Sequence, residues 1–245
     1  MSNLADPYLK TVRAKVHLDD LRKQLDIFHK SKPYALVPLE DDIENQRYRV
    51  RVQINDIPDP IPLIAGDLFY CLRSSLDQLV WSLASLTIKY PEHTQFPIFE
   101  ESSPKKFKRF TCGVPAKAVE IIDSLQPYHG RDAAAIQADL LWRLNLLCVI
   151  DKHRRIPVHG DEIFFRLPKT LQPFLRFDST GEVGVMSIPL SLKSQMTLNP
   201  DISFKVSFGD VDAGIECDLA GIERIYEFVT NNVIPKFAGF FQQKV

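Results

Sequence analysis

The stretch LFYCLRSSLDQLVWSLASL, Leu68 to Leu86, decides the fold class. Leu68, Leu72, Leu76, Leu79, Leu83 and Leu86 recur at the three- and four-residue intervals of one helix face. Phe69 and Val80 widen that stripe, while Tyr70 and Trp81 lie nearly opposite it. A helix over about 62–88, apolar over so much of its circumference, is expected at the centre of a bundle, with the Tyr70 hydroxyl asking for a polar contact.

On the N-terminal side, Ala14, Leu18, Leu21, Leu25 and Phe28 place one apolar face on a helix over 8–30, with Asp6-Pro7 as its start signal and Pro33 as its stop. QRYRVRVQI, 46–54, alternates: Tyr48, Val50, Val52 and Ile54 point one way, Arg47, Arg49 and Arg51 the other. That is a half-buried strand with a basic outer face, and Tyr34–Leu39 is its pairing strand across the acidic turn EDDIEN. C-terminal to the central helix, YPEHTQFPIFE predicts an ordered loop, Lys105–Phe110 a short basic helix, Pro115–Leu125 a helix ending near QPYHG, and 133–150 a helix with Ile136, Leu140, Leu144 and Leu147 on one face. After Pro157 the pattern changes. EIFFRLP, FLRFD, VGVMSIPL and ISFKVSFG are short β-like runs, followed by a helix over about 219–232 that turns Ile222, Ile225 and Val229 inward. The class is α+β: a mainly helical bundle over 1–157 with an inserted N-terminal hairpin, then an antiparallel β-rich region with a terminal helix over 158–245, either separate or packed on the bundle.

The chain has 245 residues, 45% of them hydrophobic, and a formal net charge of -1, so no global field draws it to nucleic acid or membrane. Its four cysteines, Cys71, Cys112, Cys148 and Cys217, form no CxxC pattern, which points to a reduced, cytoplasmic protein. MSNLADPYLK carries no apolar signal-peptide core. The most membrane-like segment, 68–88, contains Arg73 and Asp77.

Two places carry candidate chemistry. Arg73 and Asp77 stand four apart on one helix and can pair, closing the bundle edge; alternatively the Arg73 fork awaits a phosphate. The other place is IDKHRR, Ile150–Arg155, at a helix end where its cations complement the dipole. There His153 can move a proton near neutral pH, Asp151 can orient it or pair with an arginine, and Lys152 or Arg154 can steady a negative oxygen. No GxSxG, HExxH, P-loop or GxGxxG pattern occurs, and no ligand spacing argues for a metal held by His17, Asp151 and His153. Neither a metal nor a cofactor is expected. Tyr128 and His129 of QPYH can line a cleft.

LRSSLDQLVW, FPIF, LQPYH and IDKHR, in that order, resemble a family of bacterial and phage-encoded proteins over roughly residues 14–155. The family form of the first motif is similar to Leu-Arg-Ser-Ala-Leu-Asp-His-Leu-Val-Trp. Its arginine, four residues, then histidine resemble the signature of the HEPN superfamily. That resemblance implies a small, often dimeric helical bundle, frequently a metal-independent ribonuclease of defence systems. The arginine falls on Arg73 and the histidine on Gln78, whose amide can hydrogen-bond phosphate or ribose but cannot act as an acid or base near neutral pH.

The leading expectation is therefore a HEPN-like protein binding RNA or a nucleotide phosphate. Arg73, His153 and Asp151 would be catalytic, and Arg154, Lys152 and Gln78 would hold the substrate; a ribonuclease results if it is active and a binding module if it is not. The alternative is a non-enzymatic structural or protein-interaction module, with Trp81 and Trp142 as packing anchors and Arg73–Asp77 and Asp151–Arg154 as local pairs. A third option is a small-molecule enzyme using the QPYH loop.

Overall fold

The computed structural model describes residues 4–166, 176–177, 185–196, 201–210 and 212–241. Of the expected β-like runs, Leu167–Pro168, Phe174–Leu175, Asp178 and Val183–Gly184 lie outside these residues. The fold is α+β. Contacts divide it into two discontinuous units: 1–23, 59–157 and 208–245 form the first, 24–58 and 158–207 the second. This division differs from a single break at 157. The hairpin groups with the strands that follow 157, and the C-terminal helical segments group with the bundle.

In the second unit, β1 (Tyr34–Pro38) pairs antiparallel with β2 (Arg47–Ile54). The order of this sheet is β1-β2-β5-β4, with β4 at Arg176–Phe177 and β5 at Val185–Pro189. The alternation in β2 works as its pattern predicts: Tyr48, Val50 and Val52 pack with Met186 and Ile188 of β5. The opposite row is engaged within the fold, since Arg47 donates to the Ser187 carbonyl at 2.6 Å. The acidic turn is closed by Asp42, whose carboxylate accepts from the Asn45 backbone and side-chain nitrogens at 3.1 and 2.9 Å. A second sheet has the order β3-β6-β7, with β3 at Val158–Arg166, β6 at Asp201–Asp210 and β7 at Ile215–Asp218. The last strand is too short to show an alternation in the sequence.

The first unit takes its length from α1 (Ala5–Lys30, cut by the unit boundary) and α2 (Pro60–Ala84). Ala14, Leu18 and Leu21 of α1 are buried, as are Leu68, Leu72, Leu76, Leu79 and Leu83 of α2. Two features differ from the expected central helix. It stops at Ala84, where the Ser85 hydroxyl bonds back to the Trp81 carbonyl at 2.8 Å, so Leu86 lies in the following turn. Its outer side also faces solvent, with Tyr70 54% and Trp81 47% exposed, so Trp81 is not a packing anchor.

The short elements follow: α3 (Pro104–Phe110), α4 (Ala116–Ser124) and a 3-10 turn at Pro127–His129. The helix expected over 133–150 is two helices, α5 (Ala133–Ala138) and α6 (Leu140–His153). Between them Asp139 adopts an extended backbone, and its carboxylate accepts the N–H groups of Leu141 and Trp142, both at 2.9 Å. A side chain that caps the next helix competes with continuation of the previous one, which apolar periodicity alone does not register. The chain closes with α7 (Lys193–Met196) in the second unit and α8 (Leu219–Glu227) in the first; α8 continues into a π turn and a 3-10 turn. Ile222, Ile225 and Val229 are fully buried, as their spacing predicts. Among the described residues, no helix is long and apolar enough to cross a membrane.

Burial holds the Asp139 carboxyl above its ordinary range against the pull of its two N–H donors. Its stability contribution is therefore fully present below the unfolded-state pKa and declines as pH rises through the raised folded value. Asp139→Ala should destabilise by about 1 kcal/mol in urea unfolding. The stability difference between wild type and Asp139→Asn should shift against wild type as pH rises through that window; a pH-independent difference would contradict the raised value.

Candidate functional site

Helix α2 packs against α6, and the predicted residues sit along this contact in distinct settings. Arg73 is only 7% exposed. Its Nη1 donates to Asp77 Oδ1 at 2.7 Å and its Nη2 to the Phe96 carbonyl at 2.8 Å. The same Asp77 oxygen accepts the Phe96 N–H at 2.9 Å. The pair thus grips both backbone polar groups of one residue in the FPIF segment. Burial pushes the Asp77 carboxyl up, while Arg73, the Phe96 N–H and the nearby Lys152 charge pull it down.

Asp151 lies directly over Gly66 of α2, in the space a Cβ would fill. Burial, and then the charge of Asp67, raise its carboxyl pKa. Among the described residues Asp151 makes no hydrogen bond or ion pair with His153; positions two apart on a helix do not face each other. The expected Asp151–Arg154 pair is replaced by Arg154–Asp210, and Arg155 pairs with Asp59. His153 and Lys152 are exposed on the last turn of α6. Gln78 is half-buried on α2, and its Oε1 is buried without a hydrogen-bond partner among the described residues. The structure therefore brings Arg73, Asp77 and the field of Lys152 together, and places His153 at the solvent-exposed helix end. His17 is half-buried on α1, and no cluster of three His, Cys, Asp or Glu side chains suited to a metal occurs among the described residues.

The motif residues converge on FPIF. Gln126, 3% exposed, donates from Nε2 to the Pro97 and Ile122 carbonyls at 2.8 and 3.0 Å, and its Oε1 accepts the Phe99 N–H at 3.3 Å. Trp142 Nε1 donates to Glu100 Oε1 at 2.6 Å. Segment 96–100 is thus tied to α2, to Gln126 just before the 3-10 turn, and to α6. Sequence reading passed over Gln126; the only available signal was an amide next to Pro127, which holds it extended.

This pinned segment leads into a cleft of about 670 Å³ between α3 and α4. Phe107, Lys108 and Thr111 line one wall, Val119, Glu120 and Asp123 the other, and Tyr128 is also part of the lining. Phe107 and Lys108 lie on α3, Thr111 directly follows it, and Val119, Glu120 and Asp123 lie on α4. The turn joining the walls is held by the Thr87 hydroxyl donating to the Gly113 carbonyl. Gly113 has φ +80°, and a Cβ there would collide with Ile88. The Tyr128 hydroxyl donates to Asp123 Oδ1, and burial together with that carboxylate pushes the phenol up to about 12. His129 Nε2 lies 2.9 Å from the Asp123 carbonyl oxygen and 3.4 Å from its Oδ2. Tyr128 and His129, named from the sequence, are thus joined through Asp123, which was not. No family model matches the chain, and neither a curated protein nor a solved structure matches it.

Arg73→Met should destabilise the protein by about 3 kcal/mol, because it strands a partly buried carboxylate and the Phe96 carbonyl. Gln126→Leu should cost about 2 kcal/mol by leaving the Pro97 carbonyl and Phe99 N–H unpaired. Urea midpoints check both; unchanged midpoints would remove these side chains from the joint.

Proposed function

We propose that this chain is a small-molecule-binding protein whose ligand occupies the cleft between α3 and α4. One observation carries the reading: about 670 Å³ of concave space, lined by apolar side chains interleaved with polar and charged ones, opens beside the segment that the motif residues hold in place. Ligand clefts typically measure ~300–1,000 Å³ and combine an apolar lining with few orienting polar groups. Phe107, Val114 and Val119 supply the first; Lys108, Glu120 and Tyr128 supply the second.

The RNA-directed reading asks more of the geometry. A phosphate reaching Arg73 has to enter a site where the guanidinium is buried and already bonded to Asp77 and the Phe96 carbonyl. This favours a positioning role for Arg73.

A protein-observed NMR screen of aromatic fragments checks the proposal. Several fragments should bind wild type with chemical-shift changes confined to 102–128, and Val119→Trp, which fills the cleft, should abolish them. Shifts elsewhere, or binding that survives Val119→Trp, would refute it. So would metal-independent cleavage of an RNA pool that is lost in His153→Ala, because chemistry would then lie at the end of α6.

A further inference from the structure

The charges inside the cleft specify what its ligand carries, an inference that rests on the binding reading above. Lys108 on α3 and Glu120 on α4 line the same space from opposite walls. Both are exposed, and among the described residues neither makes an ion pair, with the other or with any third group. Asp123, the second carboxylate of the α4 wall, already accepts the Tyr128 hydroxyl and lies beside His129. Glu120 is therefore the free acceptor of that wall and Lys108 the free cation of the other. Phe107 and Val119 line the same space.

A lining that carries one cation, one carboxylate and apolar side chains is complementary to a molecule that carries both opposite charges on an apolar body. We propose that the cleft takes a zwitterionic ligand with an apolar body, its ammonium facing Glu120 and its carboxylate facing Lys108. An apolar amino acid and a short apolar peptide with free termini share this chemistry, and the cleft volume admits either. A purely anionic ligand would meet Glu120 and Asp123 as like charges, and a purely cationic one would meet Lys108.

The test titrates leucyl-phenylalanine, its N-acetyl form and its C-amide form into the full chain by NMR. The free dipeptide should bind with shifts in 102–128, and each cap should weaken binding about fivefold, the ratio that corresponds to about 1 kcal/mol for an exposed ion pair. Glu120→Gln should erase discrimination against the N-acetyl form alone, and Lys108→Met discrimination against the C-amide alone. Both positions are exposed, and circular dichroism confirms that the variants fold. Capped peptides binding as well as the free one would overturn the zwitterion while leaving the cleft a binding site. So would aromatic fragments that bind where the free dipeptide does not. Failure of the fragments as well would remove both proposals.

Discussion

The placement of the FPIF segment against the helical unit depends on a buried guanidinium. Arg73 lies on the buried side of α2, and a charge there needs a partner and hydrogen bonds to be tolerated. Asp77, one turn along, supplies the opposite charge, and the two then take the N–H and C=O of Phe96 as further partners. The result is a shared network in which Arg73, Asp77 and Phe96 satisfy part of one another's hydrogen-bonding capacity. Such networks are worth most when complete, because a single loss leaves buried polarity behind. The network also fixes where an extended segment, which has no helical or sheet hydrogen bonds of its own, lies against the bundle.

The cleft follows from that placement. Gln126 ties Pro97 and Phe99, and Trp142 ties Glu100, so the segment entering α3 is positioned from several directions. The two walls are joined at Gly113, whose positive φ admits the turn. Phe107 and Val119, together with Lys108 and Glu120, which have no ion-pair partner among the described residues, line a space large enough for a small organic ligand. A rigid frame with a few free polar groups is the arrangement expected of a preorganised binding site.

Much of the architecture was legible because it rests on periodicity. The buried faces of α1 and α2 and the alternation of β2 each follow from burying one side of a regular element. What was not legible depended on single side chains acting on the backbone. Asp139 splits a continuous helical pattern by capping its second half, and Gln126 bonds to a segment about thirty residues earlier in the chain. The Arg73–Asp77 pair was predictable from an i, i+4 spacing, but its grip on Phe96 was not, since a spacing rule reaches one turn and no further. The same limit applies to IDKHRR, where the partners of Arg154 and Arg155 are Asp210 and Asp59. The division into units was hidden for a related reason: composition changes at 157, yet tertiary pairing sends the early hairpin and the late helices to different units.

The central claim is that the Arg73–Asp77 pair holds Phe96, and amide hydrogen exchange reads the Asp77 half of that grip directly, because the Phe96 N–H donates to Asp77 Oδ1. The Phe96 amide should be protected in the wild type, and Asp77→Leu should make it exchange at least about tenfold faster, the loss expected for one well-made hydrogen bond. Amides in the middle of α6, such as Leu147, should keep their protection. Unchanged protection at Phe96 in the folded variant would contradict the account and return Arg73 to the list of groups available for a ligand.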